Sequence, residues 1–472
     1  TTFAACLLFA AAATAQETVT HEGCTLTLNA NKDKCETVTF SLAWQGHNIV
    51  EGCQLGITTT RRRFEEMRLV KAAEAQEIKT EYTMVQGKKM HPVSTATLSR
   101  YTFVNASNDT LSIDFRVAAD GLALRYVIHP EGKENEMVDG ELTTFNIKNG
   151  TPRWIAAYDP GYEQFFPLAT DGKNLRGNQG QRWGFPALAE PEKGVFMLLA
   201  ESDITRGHAG AYLTNNDGGE GYRVTYADKA QRCLRTWTSP WRLIITGSLA
   251  DVTQSTMVTD VATPAVTDKT DWIKPAPVSW IYWAHNHGSR ELKLIKDYID
   301  LAVTMKWPYM LIDAEWDEMT NGNRVEEALE YAHAKGIKPM LWYNSCTGWI
   351  NYAPGPKWKL NTREDRLKEF VWLRDNGVVG IKIDFFGGDD IRNNDYCIDI
   401  LEDALKYNIM VVFHGAVIPR GWQRTYPNLM TVEAVYGAEW YNNNGTLTNR
   451  AACHNATLPF TRNVIGPMDY TP

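Results

Sequence analysis

What the chain lacks limits it first. It has no basic excess: 56 acidic against 48 basic residues give a net charge of −8, spread along the 472 positions. That excludes the cationic stripe that binds phosphates, so neither nucleic acid nor anionic membrane is an expected partner. No apolar run reaches the roughly 20 residues of a membrane-crossing helix, so no membrane insertion is expected. Cysteines are few, 8 in all, and no CxxC pair or Cys/His spacing suggests zinc. A neutral, strand-borne lysine of the aldolase kind is also missing, because the one candidate, Lys382, has Asp384 two residues away to keep it charged.

What is present divides at about residue 265. At 44% hydrophobic, the chain can bury at least two cores. Up to there the pattern has period two: Leu111 to Val117 alternates, Asp120-Gly121 supplies a hairpin turn, and Leu122 to Ile128 alternates again. Similar runs at Ala96 to Val104, Val195 to Leu199 and Leu243 to Thr246 predict a large antiparallel β-sandwich over 16–265. Lys71 to Lys79 reads as a short helix, and the Thr-, Asp- and Pro-bearing stretch TPAVTDKTDWIKPAP marks a linker, 266–277.

Beyond the linker, strands alternate with helices. Val278 to Trp283 precedes a helix from Arg290 to Lys306, Tyr309 to Asp313 one from Arg324 to Lys335, and Lys338 to Tyr343 one from Arg363 to Asn376. Val379 to Phe385 leads to a helix from Asp395 to Tyr407, and Ile409 to His414 follows. Gly336 and Gly377 fall where helices should stop. Such alternation predicts parallel strands with right-handed crossovers, hence a (β/α)8 barrel over 278–472. Leu429 to Val435 is its sixth strand and Ala456 to Gly466 would hold the seventh and eighth.

At the amino end, Phe3 to Ala15 is an alanine-rich apolar run closing on Ala13-Thr14-Ala15, as in an incomplete signal peptide cut after Ala15. The mature protein is therefore expected to be exported, periplasmic or secreted. With Cys6 in that leader, seven cysteines remain, of which Cys24, Cys35 and Cys53 are near enough in sequence for a disulfide.

The carboxylates suggest the chemistry. Asp384 ends the apolar strand GIKIDFF, and Glu433 and Glu439 follow two further strand-like runs. Carboxylates at the carboxyl ends of parallel strands converge on one face of such a barrel. Burying Asp384 without a role would be costly unless it paired with Lys382 or capped a helix. Glycosidases use one carboxylic acid to protonate the leaving oxygen and a second carboxylate to attack carbon or activate water. Sixteen tryptophans and twenty tyrosines suit sugar stacking as well as core packing. Asp313, Lys382 and His414, near predicted strand ends, are candidate sugar-binding groups.

Asn344, GIKIDFF around Asp384, Phe413-His-Gly-Ala416, Pro419, Arg424-Thr-Tyr-Pro-Asn428, Glu433-Ala-Val-Tyr-Gly-Ala-Glu439, Pro459-Phe-Thr-Arg462, Gly466-Pro-Met-Asp-Tyr-Thr471 and, more loosely, Tyr162-Glu163 together resemble glycoside hydrolase family 97. The resemblance implies exo-acting bacterial α-glucosidases and α-galactosidases that depend on calcium, built from an amino-terminal β-super-sandwich, a (β/α)8 barrel and a carboxyl-terminal β-domain that this chain would lack. Asp384 matches the nucleophile of the retaining members. Gly415 stands where inverting relatives place a glutamate base. Glu439 matches the general acid, and Glu163 and Glu433 match calcium ligands, with Glu439 close enough to share the ion. The retaining branch resembles α-galactosidases, so an α-linked galactoside is the expected substrate, with α-glucosidase as the alternative. Asp389, Asp390 and Asp469 are not expected to be catalysts. A catalytically silent carbohydrate-binding protein would have less reason to keep both Asp384 and Glu439. Oligomeric state is left open.

Overall fold

The computed structural model describes residues 14–129, 135–172, 182–215, 218–229, 231–233, 236–443 and 445–471. The expected leader lies almost wholly outside them; the first described strand, Thr14–His21, pairs with Cys24–Asn31. No helix among the described residues is long and apolar enough to cross a membrane.

The amino-terminal part is β-rich, an 18-stranded sheet system with almost wholly antiparallel pairing. The predicted hairpin is present: Thr110–Ala118 and Gly121–Ile128 pair with Val117 opposite Leu122 and Ala118 opposite Gly121. Both strands are buried along nearly their whole length, so alternation here separates two packed faces rather than core from water. The helix expected over Lys71 to Lys79 is not formed. Arg68–Ala72 and Gln76–Glu81 are strands, both laid on the long strand Val93–Val104. In the second, Ile78 and Thr80 are half-buried and Glu77, Lys79 and Glu81 exposed, a period of two that cross-strand pairing rewards more than a weak helical pattern does.

The seven described cysteines are all free. The strand Thr39–Trp44 explains why Cys24 and Cys53 do not join: Cys24 faces Trp44 from one side and Cys53 faces Phe40 from the other. Four residues of strand, about 13 Å at 3.3 Å per residue, exceed the reach of a disulfide.

Six parallel strands follow the linker in sequence order: Val278–Trp280, Tyr309–Ile312, Lys338–Asn344, Gly380–Asp384, Met410–Phe413 and Leu429–Val432. The helices Leu292–Met305, Val325–Ala334, Arg363–Asp375 and Ile391–Leu405 connect the first five. The last of these starts four residues before its predicted position because Asp390 caps it, its carboxylate accepting from Asn393 N at 2.7 Å. Closure to eight strands is not reached among the described residues. The segment expected to hold the seventh and eighth strands is helical, Gly445–Thr457 followed by turns at Leu458–Phe460 and Arg462–Ile465. The buried Arg462 guanidinium donates to the carbonyls of Val432, Glu433, Ala434, Gly466 and Pro467, holding these turns against the end of the sixth strand. Met468 alone makes a bridge in parallel register, with Val432.

The two parts meet through buried charge. Arg242 pairs with Glu141 at 2.8 Å and Glu201 at 2.6 Å, all in the β-rich part. Glu201 also accepts from Arg420, on the loop after the fifth parallel strand, and Arg420 Nη2 lies 2.7 Å from Asp389, on the loop after the fourth. Tyr162 of the β-rich part completes the cluster, donating to Asp389 at 2.6 Å and accepting from Arg420 at 2.9 Å. Removing one member of such a cluster strands the others without countercharge in a low dielectric. Arg420→Ala is therefore expected to destabilise the protein by about 3–5 kcal/mol, read as a fall in Tm. A change within about 0.5 kcal/mol, the size of a surface substitution, would mean that the cluster carries no docking energy.

Candidate active site

The register of the parallel sheet assembles the predicted carboxyl-end face. Asp384 lies opposite Asn344, and Ile383 opposite Phe413, so His414 and Gly415 emerge beside Asp384. Glu433 follows the sixth strand, Asp313 the second, and Trp280 ends the first. Together with Glu439 and with Glu163 from the β-rich part, residues from these strand ends line one cavity of about 840 Å³, near the top of the range for small-molecule sites.

Asp384 is buried at the cavity floor. Its Oδ2 accepts from Trp342 Nε1 at 3.2 Å and its Oδ1 from the Phe385 N–H at 2.7 Å. Burial pushes its carboxyl above the ordinary value, while His414 and Lys382 pull it back. The ion pair that sequence offered as an alternative role for Asp384 is made elsewhere. Lys382 Nζ lies 3.4 Å from Asp313 Oδ2, which also accepts from Trp280 Nε1 at 2.7 Å, and the ammonium sits 4.7 Å from the centroid of the Trp280 ring. Burial opposes the Lys382 charge, but Asp313 and Asp384 outweigh it and hold the ammonium above its usual range. The site thus presents a fixed cation and two carboxylates around buried tryptophan edges.

Gly415 packs directly against the Asp384 carboxylate. Its φ is 49°, and a Cβ there would lie 2.8 Å from Asp384 Oδ1 and 3.0 Å from Phe385 N. As the backbone stands, any side chain at 415 collides with the Asp384 carboxylate.

His414, expected to bind sugar, turns both ring nitrogens toward carboxylates. Nε2 is 3.1 Å from Glu433 and 3.3 Å from Glu439, and Nδ1 is 3.3 Å from Asp469. Burial disfavours the imidazolium, but Glu433 and Asp384, with the Asp469 hydrogen bond, raise its pKa well above the usual value. Asp469, not expected from sequence to be a catalyst, becomes the anchor of this ring. Burial works against its charge, yet the His414 hydrogen bond leaves its carboxyl below the ordinary value.

The ligand atoms of His414, Glu433 and Glu439 lie within 4.8 Å of one another, a grouping able to hold a metal ion. The chemistry of the donors fits a hard cation. Glu433 is fully enclosed, its Oε2 accepting from Gly415 N at 2.7 Å and its Oε1 lying 3.1 Å from His414 Nε2. Burial raises its carboxyl well above normal, and Glu163, Glu439 and Asp384 add to the shift. Glu163 stands outside that group of three but lines the same cavity, with Oε2 accepting from Trp440 Nε1 at 2.8 Å. Burial, then Glu439, lifts its pKa to about 7. Oxygen-rich, crowded and short of positive charge, this wall suits calcium better than a thiophilic metal.

Sequence reasoning named Asp384, Glu433, Glu439, Glu163, Asp313, Lys382 and His414, and all seven reach this cavity or, for Asp313, hydrogen-bond its lining. It missed Trp280, Trp342 and Trp440, whose indole N–H groups orient three of the carboxylates, and the rim residues Glu315 and His287, paired at 2.5 Å. The aromatic run around Trp280 was visible; nothing in it signalled a donor to Asp313.

Comparison with known proteins gives a consistent picture. Residues 23–264 match the family model described as glycosyl-hydrolase 97 N-terminal, and residues 273–435 match glycoside hydrolase 97. A probable retaining α-galactosidase of Streptomyces bingchenggensis is 30% identical over 451 residues, 92% of this chain and 66% of that protein. The retaining α-galactosidase of Bacteroides thetaiotaomicron is 23% identical over 408 residues, 76% of this chain and 59% of that protein. The chain thus spans 66% and 59% of the length of these curated relatives. Among solved structures, a β-arabinopyranosidase superposes with a TM-score of 0.88 at 28% identity, over 94% of this chain and 74% of that one.

The carboxylate crowding has a measurable consequence. A carboxyl whose folded pKa is raised contributes stability below its unfolded pKa and loses it as pH rises through the folded value. In chelator, Tm should therefore fall as pH climbs from 4.5 through about 7, the interval over which Glu163 ionises. Glu163→Gln should flatten that slope; an unchanged slope would contradict the assignment of the shift to Glu163.

Proposed function

The chain belongs to glycoside hydrolase family 97, and from that premise we propose that it is an exo-acting, retaining α-glycosidase that cleaves α-galactosides with the help of calcium. The observation that carries this reading is the contact between Gly415 and Asp384: the carboxylate occupies the space a side chain at 415 would need, so Asp384 is the group nearest that point. In the first step Glu439 protonates the glycosidic oxygen, the bond to the anomeric carbon breaks toward that oxygen, and Asp384 bonds to the carbon. In the second, Glu439 takes a proton from water, and the water oxygen displaces Asp384. Two inversions restore the α configuration.

The remaining residues divide between sugar and ion. Asp313 and Lys382, held together beside Trp280, offer an acceptor and a donor for hydroxyls of the terminal sugar, and the indole gives its face. Glu163, Glu433 and Glu439 would hold the calcium, which when bound supplies positive charge that stabilises these carboxylates and contacts sugar hydroxyls. His414, held between Glu433 and Asp469, keeps Glu439 oriented.

A second reading shares the whole mechanism. The similarity to a β-arabinopyranosidase favours activity on β-L-arabinopyranosides, which have the ring configuration of α-galactosides without the exocyclic carbon. The two differ by one hydroxymethyl group, so discrimination rests on a few contacts. An α-glucosidase differs instead at the 4-hydroxyl.

Proton NMR in the first minutes of hydrolysis, before mutarotation, tests the mechanism: α-galactose should appear first, and initial β-anomer would overturn retention. Asp384→Gly should lower kcat by roughly 10⁴-fold or more, the scale of losing a nucleophile. Azide should then restore turnover with a β-galactosyl azide as product, and full activity without azide would remove Asp384 from the reaction.

A further inference from the structure

Four tryptophans and tyrosines are exposed among the described residues: Trp349, Tyr352, Trp358 and Tyr441. Three of them stand on one loop, the connection after the third parallel strand, and Trp349 and Tyr352 line the cavity that holds Asp384. Leaving Trp349 51% and Tyr352 100% exposed forgoes the burial that large rings normally gain, which marks them as surfaces awaiting a partner.

The loop is held firmly enough to present them. Asn344, buried opposite Asp384, donates to the Trp349 and Pro354 carbonyls at 3.4 and 3.2 Å. Gly348 N donates to Phe385 O at 2.8 Å, and Glu315 N to Gly355 O at 2.7 Å. The Trp349 ring packs edge-on against Phe385 with centroids 4.9 Å apart, one residue from the nucleophile.

Depth orders the site. Asp384, Lys382 and His414 are the buried groups of the lining, so a terminal sugar attacked by Asp384 sits there, and its leaving group must point to the mouth. Trp349 and Tyr352 are the exposed aromatic rings of the cavity lining, and Glu315, ion-paired to His287, lines the same cavity. We propose that Trp349 and Tyr352 form the site for the leaving sugar, taking the apolar face of a second pyranose while Glu315 accepts its hydroxyls. The enzyme would then be built for α-linked di- and oligosaccharides rather than for glycosides of small alcohols. This rests on the glycosidase reading above.

The test compares kcat/KM for melibiose, whose leaving group is glucose, with that for α-galactosyl fluoride, whose leaving group has no ring. Trp349→Ala should reduce the melibiose-to-fluoride ratio by about tenfold, the size of one lost stacking contact, and Trp349→Phe should restore most of it. An unchanged ratio, whether both rates fall together or neither falls, would overturn the leaving-sugar site and leave the glycosidase reading standing. Wild-type protein that cleaves neither substrate would overturn that reading, and the site with it.

Discussion

The Arg420 guanidinium, enclosed between Glu201 of the β-rich part and Asp389 of the parallel sheet, is the contact on which the active site depends. A charge this deeply buried tolerates only one arrangement of its partners, because any displacement leaves a carboxylate without compensation. Apolar surfaces alone would allow the two parts to slide; this cluster, with hydrogen bonds such as those from Trp422 Nε1 to the Ile204 carbonyl and from Asn394 Nδ2 to the His208 carbonyl, holds their register. Tyr162, bonded to both Asp389 and Arg420, has a φ of 59°, and that left-handed turn sends the next residue, Glu163, into the cavity. One wall of the site therefore belongs to a different architecture from the rest, and the buried cluster is what delivers it.

Within the site, the balance of charge governs the chemistry. Asp313, Asp384, Glu163, Glu433, Glu439 and Asp469 converge on two cations of the chain, Lys382 and His414. Each cation is shared: Lys382 with Asp313 and Asp384, His414 with Glu433, Glu439 and Asp469. The deficit suits a hard cation and adds to the upward shifts that burial imposes on Glu163 and Glu433. Gly415 adds a steric choice to this electrostatic one. A carboxylate at 384 and a side chain at 415 compete for the same volume.

Much of this was legible in the sequence, for physical reasons. Strands buried on both faces and separated by amphipathic helices, as from Tyr309 to Phe413, leave a periodicity that needs no tertiary information. Asp384 stood out because a charge at the end of an apolar strand is costly without a purpose. Illegible features were those decided by distant partners. Gln76–Glu81 became a strand because Val93–Val104 offered it an edge, and the apolar turns after Thr457 became helical under the hold of Arg462. The cysteines stayed apart because register, invisible in sequence spacing, set them at opposite ends of Thr39–Trp44. The indole donors went unnoticed for the same reason: Trp342 reaches Asp384 only through the pairing of adjacent strands.

The central claim, that Asp384 becomes covalently bonded to the sugar, is tested most directly by trapping the bond. A fluorinated galactosyl fluoride that forms the glycosyl-enzyme faster than water removes it should add one sugar to the protein, and peptide mass spectrometry should place that mass on Asp384 within GIKIDFF, 380–386. A label on Glu433, Glu439 or Glu163, or no label on protein that still turns over the parent substrate, would contradict the account.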